Sequence, residues 1–246
     1  MTPKNSSRRV GLARVLSKLG YCSRSRAFEL VHAGRVRVNQ TVRCDPETPV
    51  LEADQIEVDG QLITSAPKVY LMLNKPRGVV TTAADEKGRK TVYDGLDKDL
   101  PWAAPVGRLD KASEGLLLLT NDSEWAARVL APETHLDKTY HVQVASVADE
   151  KLVAAISKGV RAPEGDLLRV KSARILRGGT KNTWLEIVLD EGKNRHIRRM
   201  LAAFDVEVLR LVRVAIGPLV LGPLPKRAWR SLTPDEKAAL DGTTER

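Results

Sequence analysis

The positive charge of this chain is concentrated in its first 43 residues. They contain ten lysines and arginines and one acid, Glu29, and so account for the whole formal net charge of +9. Apolar residues are interleaved with these charges, which favours a folded basic module over the alternative, a solvated basic tail. Such a module is typical of proteins that bind a polyanion, RNA or DNA first among them. The chain therefore divides into a basic N-terminal part and an electrically balanced remainder.

Length and composition exclude several classes of protein. The 246 residues allow one large domain or two modest ones, and the hydrophobic share of 42% is ordinary for a globular chain. No apolar run approaches the roughly 20 residues of a membrane helix, and we expect no secretion signal. Cys22 and Cys44 lie far apart and in no CxxC pair, which argues against a disulfide framework or zinc site and fits a reducing cytosol. The four histidines have no ligand spacing, and nucleotide-binding or hydrolase motifs are absent, so we expect no metal.

Two short helices and a strand are predicted within the basic part. The first helix ends at Gly20, the second is capped by Ser23 and ends at Gly34, and a half-buried strand follows. Two helices that lead into a strand can hold several cationic groups on one surface, where they would contact phosphates. The candidate RNA-binding residues of this part are Arg14, Lys18, Arg24, Arg26, Arg35 and Arg37.

A hairpin and a linker complete this part of the chain. Asp59-Gly60 between two short alternating runs predicts a tight turn, and residues 64–68 have the composition of a linker. Together, LARVLSKLGYCSRSRAFELVHAGRVRVN and the later DQIEVDG resemble the S4 RNA-binding domain over residues 9–63. The resemblance implies RNA rather than DNA as the ligand, and it implies no activity.

From Val69 onwards the pattern is rich in strands. Strands mixed with a few helices, without a regular βαβ rhythm, predict an α+β domain with an antiparallel or mixed sheet. A polar C-terminal segment, 234–246, is expected to form a short surface helix. The predicted strands cover 69–73, 115–119, 140–144, 183–189 and 206–221, and the predicted helices cover 123–130 and 194–204.

The tetrapeptide Gly107-Arg108-Leu109-Asp110 is the most distinctive candidate site. It lies between a loop that is rich in proline and an apolar strand, and Gly107 permits an unusual backbone conformation. Arg108 and Lys111 would keep the carboxylate ionised and let it face an anionic ligand. Taken alone, the tetrapeptide fits an aspartate in a surface turn better than a catalytic site.

Four motifs in a fixed order resolve this ambiguity. They resemble those of the pseudouridine synthases that modify ribosomal RNA, and they span residues 69–222. The resemblance implies a catalytic domain with a central mixed, mainly antiparallel sheet at residues 67–246, after an S4-like domain with linker at residues 1–66. The motifs are LNKPRGVVTT, PVGRLDKASEGLLLLTND, KTYHVQV and EGKNRHIRRM.

The resemblance also implies roles for three residues. Asp110 corresponds to the family's nucleophile, Tyr140 to the tyrosine that stacks on the target base, and Arg198 to the basic residue that pairs with the aspartate. Arg195 and Arg199 share a helix face with Arg198 and could exchange roles with it. The alternative is an RNA-facing stripe of arginines without a catalytic member.

The implied reaction detaches uracil from C1′ of the ribose and reattaches it through C5. Because nothing is oxidised or reduced, no cofactor is expected, and the flipped base needs an aromatic ring on which to stack. The expected partner is ribosomal RNA or a pre-ribosomal particle in the cytoplasm, bound by a monomer away from any membrane. Basic residues expected to hold phosphates near the site are Lys75, Arg77, Arg108, Lys193, Arg195 and Arg199.

The RNA target and the activity each leave an alternative. DEKGRKTVYDGL and VLRLVRVAIGPLVLG resemble the large-subunit enzymes more closely, so 23S rRNA is favoured over 16S rRNA. A synthase for transfer RNA is a third, less similar class. A non-catalytic ribosome-assembly factor would also retain the S4-like domain, but it would have no chemical need for the acid, the tyrosine and the arginine together.

Overall fold

The protein is described here by a computed structural model. Contacts between residues divide the chain into two compact units. The first takes the chain up to Tyr70 with 97–104 and 119–123, and the second takes 71–96, 105–118 and the chain from Glu124 onwards. The predicted domain boundary at residue 66 stays a prediction. The structure describes residues 9–83, 85, 87–134, 136–162 and 165–242.

The first unit has two helices and short strands, as its sequence pattern predicts. One small sheet has the order β3-β2-β5-β6, and β1 pairs with β4. The elements are β1 (Val10–Gly11), α1 (Leu12–Lys18), α2 (Arg24–His32), β2 (Val36–Val38), β3 (Thr41–Arg43), β4 (Pro49–Val50), β5 (Ile56–Val58) and β6 (Gln61–Leu62).

Local signals in the sequence explain where these elements begin and end. The Ser23 hydroxyl accepts a hydrogen bond from the backbone N–H of Arg26 at 3.1 Å and so caps α2. Asp59 and Gly60 both have positive φ angles, 52° and 79°, which is the backbone of a tight hairpin turn. In β2 the two valines are buried and Arg37 between them is exposed. The core of the unit consists of Leu12, Ala13, Leu16, Ala27, Leu30, Val31, Val36, Val38, Val50, Ile56 and Val58.

The second unit contains a large sheet and four helices among the described residues. Two short 3-10 turns, Val92–Gly95 and Pro132–Thr134, connect its elements. The remaining elements are β7 (Tyr70–Lys75), β8 (Ala104–Val106), β9 (Glu114–Thr120), α3 (Ser123–Leu130), β10 (Lys138–Val144), α4 (Glu150–Lys158), β11 (Val160–Arg161), β12 (Leu167–Leu168), β13 (Ser172–Gly178), β14 (Thr183–Leu189), α5 (His196–Ala202), β15 (Val208–Ile216), β16 (Leu219–Val220), β17 (Trp229–Ser231) and α6 (Pro234–Asp241).

The large sheet is mixed and mainly antiparallel. Its order is β13-β14-β10-β15-β9-β7-β17, with β16 beside β15 and β8 beside β9. Strands β15 and β9 pair in parallel, with Arg213 opposite Gly115. Gly115 has a φ of +101°, and a Cβ at this position would lie 2.2 Å from the carbonyl oxygen of Arg213. The close approach of these two central strands therefore requires a glycine.

One face of the sheet is packed and the other is polar. Strand β14 alternates, so that Leu185, Ile187 and Leu189 are buried against the hydrophobic side of α5. On the opposite face the guanidinium groups of Arg177 and Arg210 lie 5.2 Å and 5.5 Å from the ring centre of Trp184. No helix in the described ranges is both long and apolar enough to cross a membrane.

Candidate active site

The candidate carboxylate lies in a loop between β8 and β9. Gly107 begins this loop with a φ of +76°, a conformation that favours glycine. The Leu109 side chain is buried and anchors the loop, whereas Arg108 and Lys111 are exposed. Asp110 itself is half-buried, and its backbone oxygen accepts a hydrogen bond from the N–H of Ser113 at 3.0 Å. The loop thus presents a carboxylate between two cations, as the tetrapeptide predicts.

Lys75 holds this loop in place through hydrogen bonds to the backbone of the loop. Its side chain is fully buried, and Nζ donates to the carbonyl oxygens of Pro76 at 3.2 Å, Asp110 at 3.0 Å and Ser113 at 2.9 Å. Burial lowers the pKa of the Lys75 ammonium to about 8, although the negative charges of Asp110 and Glu114 oppose the shift. Because the ammonium is buried and all three of its protons are used, Lys75 does not reach a phosphate. The expectation that it binds RNA is corrected accordingly.

Two further residues of the same motif bind the loop through its backbone. The N–H of Gly78 donates to the carbonyl oxygen of Lys111 at 2.7 Å. The hydroxyl of Thr81 donates to the carbonyl oxygen of Leu109 at 2.7 Å and accepts a hydrogen bond from the backbone N–H of Leu109 at 3.4 Å. The motif LNKPRGVVTT therefore has a mechanical role, since it fixes the backbone on both sides of Asp110.

Arg198, at the start of α5, lies beside this loop. Its Nη2 donates to the carbonyl oxygen of Ala112 at 3.1 Å and its Nη1 donates to that of Val208 at 3.0 Å. Burial lowers the pKa of Arg198, the charges of Arg195 and Arg77 lower it further, and the charge of Asp110 opposes the shift. The guanidinium is thus half-buried, fixed by two carbonyl groups, and close enough to the carboxylate for their charges to interact.

The other two arginines of the motif have different environments. Arg195 precedes α5 with a left-handed φ of 48° and is exposed. Arg199 donates from Nη1 to the carbonyl oxygen of Asn194 at 3.1 Å and forms an ion pair with Asp166. Of the three arginines, Arg198 is the one that donates to the loop of Asp110, and its role as the partner of the carboxylate stays a prediction.

A cleft of about 340 Å³ opens beside the loop. This volume lies within the range of small-molecule sites, about 300–1,000 Å³. Asp110 and Tyr140 both line the cleft, with Arg108 and Arg195 at its wall. Apolar side chains form much of the remaining surface, namely Val106, Leu109, Val129, Leu130, Leu189, Ile197, Leu211 and Ile216.

A second cleft, of about 450 Å³, lies on the other side of the loop and shares Arg108, Leu109 and Asp110 with the first. Lys111, Lys87 and Arg89 add positive charge to it. Arg89 is an ion-pair partner of Asp85, whose pKa falls to about 2 chiefly because of that pairing. The loop around Asp110 therefore borders two clefts that both contain cationic side chains, and the first has the larger apolar share.

Two cations in the first cleft, Lys138 and Arg213, were not predicted from the sequence. Lys138 precedes Tyr140 by two residues on β10, so both side chains lie on the same face of the strand. Arg213 is buried where the apolar alternation of β15 calls for a hydrophobic residue. The two signals that could have revealed them are this spacing and this break in the alternation.

The other predicted RNA-binding residues lie in three places. In the first unit, Arg14, Arg24, Arg26, Arg35 and Arg37 are exposed and Lys18 is half-buried. Ion pairs with Glu29 and Asp59 engage Arg26 and Arg35. In the second unit, Arg77 donates to the carbonyl oxygen of Leu209 at 3.2 Å, and Lys193 donates to that of Leu167 at 2.8 Å. Arg108 lines both clefts.

Within the described ranges, no cluster of three or more acidic, histidine or cysteine side chains could hold a metal ion.

Two family models and several known proteins match this chain. The family model "RNA pseudouridylate synthase" matches residues 69–203, and the S4 domain model matches residues 10–56. Ribosomal large subunit pseudouridine synthase B of Bacillus subtilis is 38% identical over 231 residues, which cover 93% of this chain and 94% of that protein. The synthase of the same name from Salmonella typhimurium is 36% identical, with 95% and 83% covered. A crystal structure of a pseudouridylate synthase superposes with a TM-score of 0.65 at 28% identity and covers 94% and 99% of the two chains.

Proposed function

Because this chain belongs to the RNA pseudouridine synthase family, we propose that it converts a uridine of large-subunit ribosomal RNA to pseudouridine. The observation that carries the choice of RNA is the similarity over 93% of the chain to a Bacillus subtilis protein named as a large-subunit synthase. The enzyme is proposed to act in the cytoplasm as a monomer. The proposed reaction includes no cofactor, because no net oxidation or reduction occurs.

Asp110 is the catalytic carboxylate of this proposal. Its oxygen attacks C1′ of the target nucleotide, and the electron pair of the N1–C1′ bond passes to the uracil ring. The ring turns within the cleft, C5 forms the new bond to C1′, and the carboxylate is released. The proton lost from C5 is balanced by the proton gained at N1. A loop held at Leu109, Asp110, Lys111 and Ser113 by backbone hydrogen bonds suits this role, since a misplaced nucleophile loses much of its rate.

Arg198 and Tyr140 support the carboxylate and the base. The guanidinium of Arg198 lies close enough to Asp110 for the two opposite charges to attract each other. The target uridine has to leave its stack to enter a cleft of this size, and the ring of Tyr140 offers a surface on which the base can stack. The reaction therefore uses one acid, one guanidinium and one aromatic ring.

Binding of the RNA backbone is assigned to two cationic regions. Lys87, Arg108 and Lys111 line the second cleft beside Asp110 and can hold phosphates next to the flipped nucleotide. The basic residues of the first unit, with the exposed Arg14 and the half-buried Lys18 on one face of α1, supply a second, sequence-independent contact.

The proposal is tested by mapping pseudouridine in both ribosomal RNAs from cells that lack this gene. The cells are complemented with wild-type protein or with Asp110→Asn. We expect one pseudouridine of 23S rRNA to disappear and to return only with the wild type, while the variant still binds the RNA. Equal modification by Asp110→Asn would refute the role of the carboxylate. Growth rescue by that variant without any modification would instead favour an assembly factor.

A further inference from the structure

Arg213 is a buried cation whose binding capacity is only partly used. Its side chain is 6% exposed and lines the first cleft. Nε donates to the carbonyl oxygen of Leu116 at 2.8 Å, which fixes the orientation of the guanidinium plane. Nη2 is buried and has no hydrogen-bond partner within the described part of the chain. A buried charged donor without a partner is costly, and its presence in a cleft indicates that a ligand supplies the acceptor.

The register of the sheet places Arg213 next to the proposed stacking residue. Arg213 on β15 is directly opposite Tyr140 on β10. Side chains of residues that are opposite each other in an antiparallel pair lie on the same face of the sheet, with Cβ atoms about 5 Å apart. A base that stacks on the ring of Tyr140 therefore has one of its edges within reach of the guanidinium group.

Lys138 adds a second cation on the same face. It precedes Tyr140 by two residues and lines the same cleft. Burial lowers the pKa of Lys138, and the nearby charge of Arg213 lowers it further, whereas Asp137 and Asp190 oppose the shift. Two mutually repelling cations beside one aromatic ring form a subsite that an electron-rich ligand edge would stabilise.

We infer that Arg213, assisted by Lys138, binds the carbonyl edge of the flipped uracil and stabilises its negative charge after the N1–C1′ bond breaks. The inference rests on the proposed function and identifies the part of the nucleotide that this subsite takes. When the bond breaks, the electron pair is delocalised over O2 and O4, where a fixed cationic donor has its largest effect. A donor that faces O4 also rejects cytosine, which carries an amino group at that position.

The variant Arg213→Lys separates binding of the base from folding. The shorter lysine can still donate to the carbonyl oxygen of Leu116 and keeps the charge, but it lacks the Nη2 donor. Loss of one charge-assisted hydrogen bond is expected to slow single-turnover pseudouridine formation at least about 10-fold. Arg213→Met should slow it more, by about 100-fold. Arg177→Met, an exposed arginine on the opposite face of the sheet, serves as the matched control with a wild-type rate.

The decisive comparison uses RNA in which the target uridine is replaced by 2-thiouridine or 4-thiouridine, because sulfur is a weak acceptor. If Nη2 binds one of these oxygens, the corresponding sulfur slows the wild type and adds little to the defect of Arg213→Lys. Fully additive losses with both thio-RNAs would overturn the inference. The salt dependence of RNA binding provides a second check. A slope for Arg213→Met that is smaller by about one than that of the wild type would also overturn the inference, since it would assign Arg213 to a phosphate.

The same assay separates this inference from the proposed function. Wild-type activity on unmodified RNA tests the function, and a wild type that forms no pseudouridine would overturn both. An active wild type with an equally active, folded Arg213→Lys and Arg213→Met would overturn only the inference. Thermal unfolding of each variant establishes that the compared proteins are folded.

Discussion

Substitution of Gly115 by alanine tests the architecture on which the site depends. This residue lies where β9 and β15 pair in parallel, two positions after Ser113 and opposite Arg213. An added Cβ would lie 2.2 Å from the carbonyl oxygen, 2.9 Å from the nitrogen and 3.0 Å from the carbonyl carbon of Arg213. All three contacts are with backbone atoms in a central strand, so no side-chain rotation can relieve them.

The expected loss of stability has two parts. A φ of +101° is strained for any residue with a Cβ, at a cost of about 1–3 kcal/mol. Separation of two packed strands resembles the insertion of an extra methyl group into a core and costs about 1–3 kcal/mol more. The sum, about 2–6 kcal/mol, is a large part of the 5–15 kcal/mol that is typical of a folded protein.

The matched control is Gly222→Ala. Gly222 has a φ of +58° and no atom within 4 Å of the added Cβ, so only the left-handed backbone is penalised, by about 1–2 kcal/mol. Denaturant unfolding at constant pH measures both variants, and pseudouridine formation per folded molecule measures the displacement of the site. A free-energy loss for Gly115→Ala no larger than that of the control would refute the argument from close strand approach.

Three further predictions concern charge and reactivity. Above pH about 8 the Lys75 ammonium loses its proton and one donor to the loop, so activity should fall through that pH, and Lys75→Met should be slow without this inflection. Between this pH and the ordinary pKa of 10.5, the unfolded chain binds more protons at Lys75 than the folded chain does. Titration of Lys75 should therefore make the free energy of unfolding rise with pH. A loss of stability that parallels the loss of activity would contradict the assignment of the activity change to Lys75. Burial raises the pKa of the Cys22 thiol to about 11 while Cys44 is exposed, so a thiol reagent at pH 8 should give one fast phase that Cys44→Ser removes; a fast phase that persists in this variant would contradict this. The double variant Arg14→Gln, Lys18→Gln should reduce the salt slope of RNA binding by up to about two, while the control Arg174→Gln leaves the slope unchanged. Equal slopes for the wild type, the double variant and the control would exclude α1 as a phosphate contact.

Elements with strong local signals were predictable from the sequence. Helix α2 has a serine cap and a glycine stop, and the Asp59-Gly60 turn and the alternation of β14 were equally clear. The mixed, mainly antiparallel sheet of the second unit was also confirmed. Helix α4, with Asp149 as its cap, was missed, and so was the edge strand β13, which alternates weakly.

The order of the strands and the role of Lys75 could not be derived from local patterns. Strand β15 lies between β10 and β9, and such distant pairing depends on packing that no single segment records. A lysine next to Pro-Arg-Gly has the composition of an exposed turn, yet its ammonium is surrounded by the carbonyl group of the adjacent Pro76 and by those of Asp110 and Ser113, which lie 35 and 38 residues away in the sequence. Conversely, the motifs predict Asp110, Tyr140 and Arg198 as residues of the site. The catalytic roles of these three residues remain predictions.

The hydrogen bonds that hold the loop around Asp110 in place are made almost entirely to main-chain atoms of the loop. Lys75, Gly78 and Thr81 bind carbonyl oxygens or N–H groups, which every amino acid provides except for the N–H of proline. Positions 108 and 111 are therefore free to change their side chains without loosening the loop. Substitutions at these two positions would change the charge beside the carboxylate and the lining of the second cleft while the main-chain contacts keep the loop in place, because charge and position are set by different atoms of one short segment.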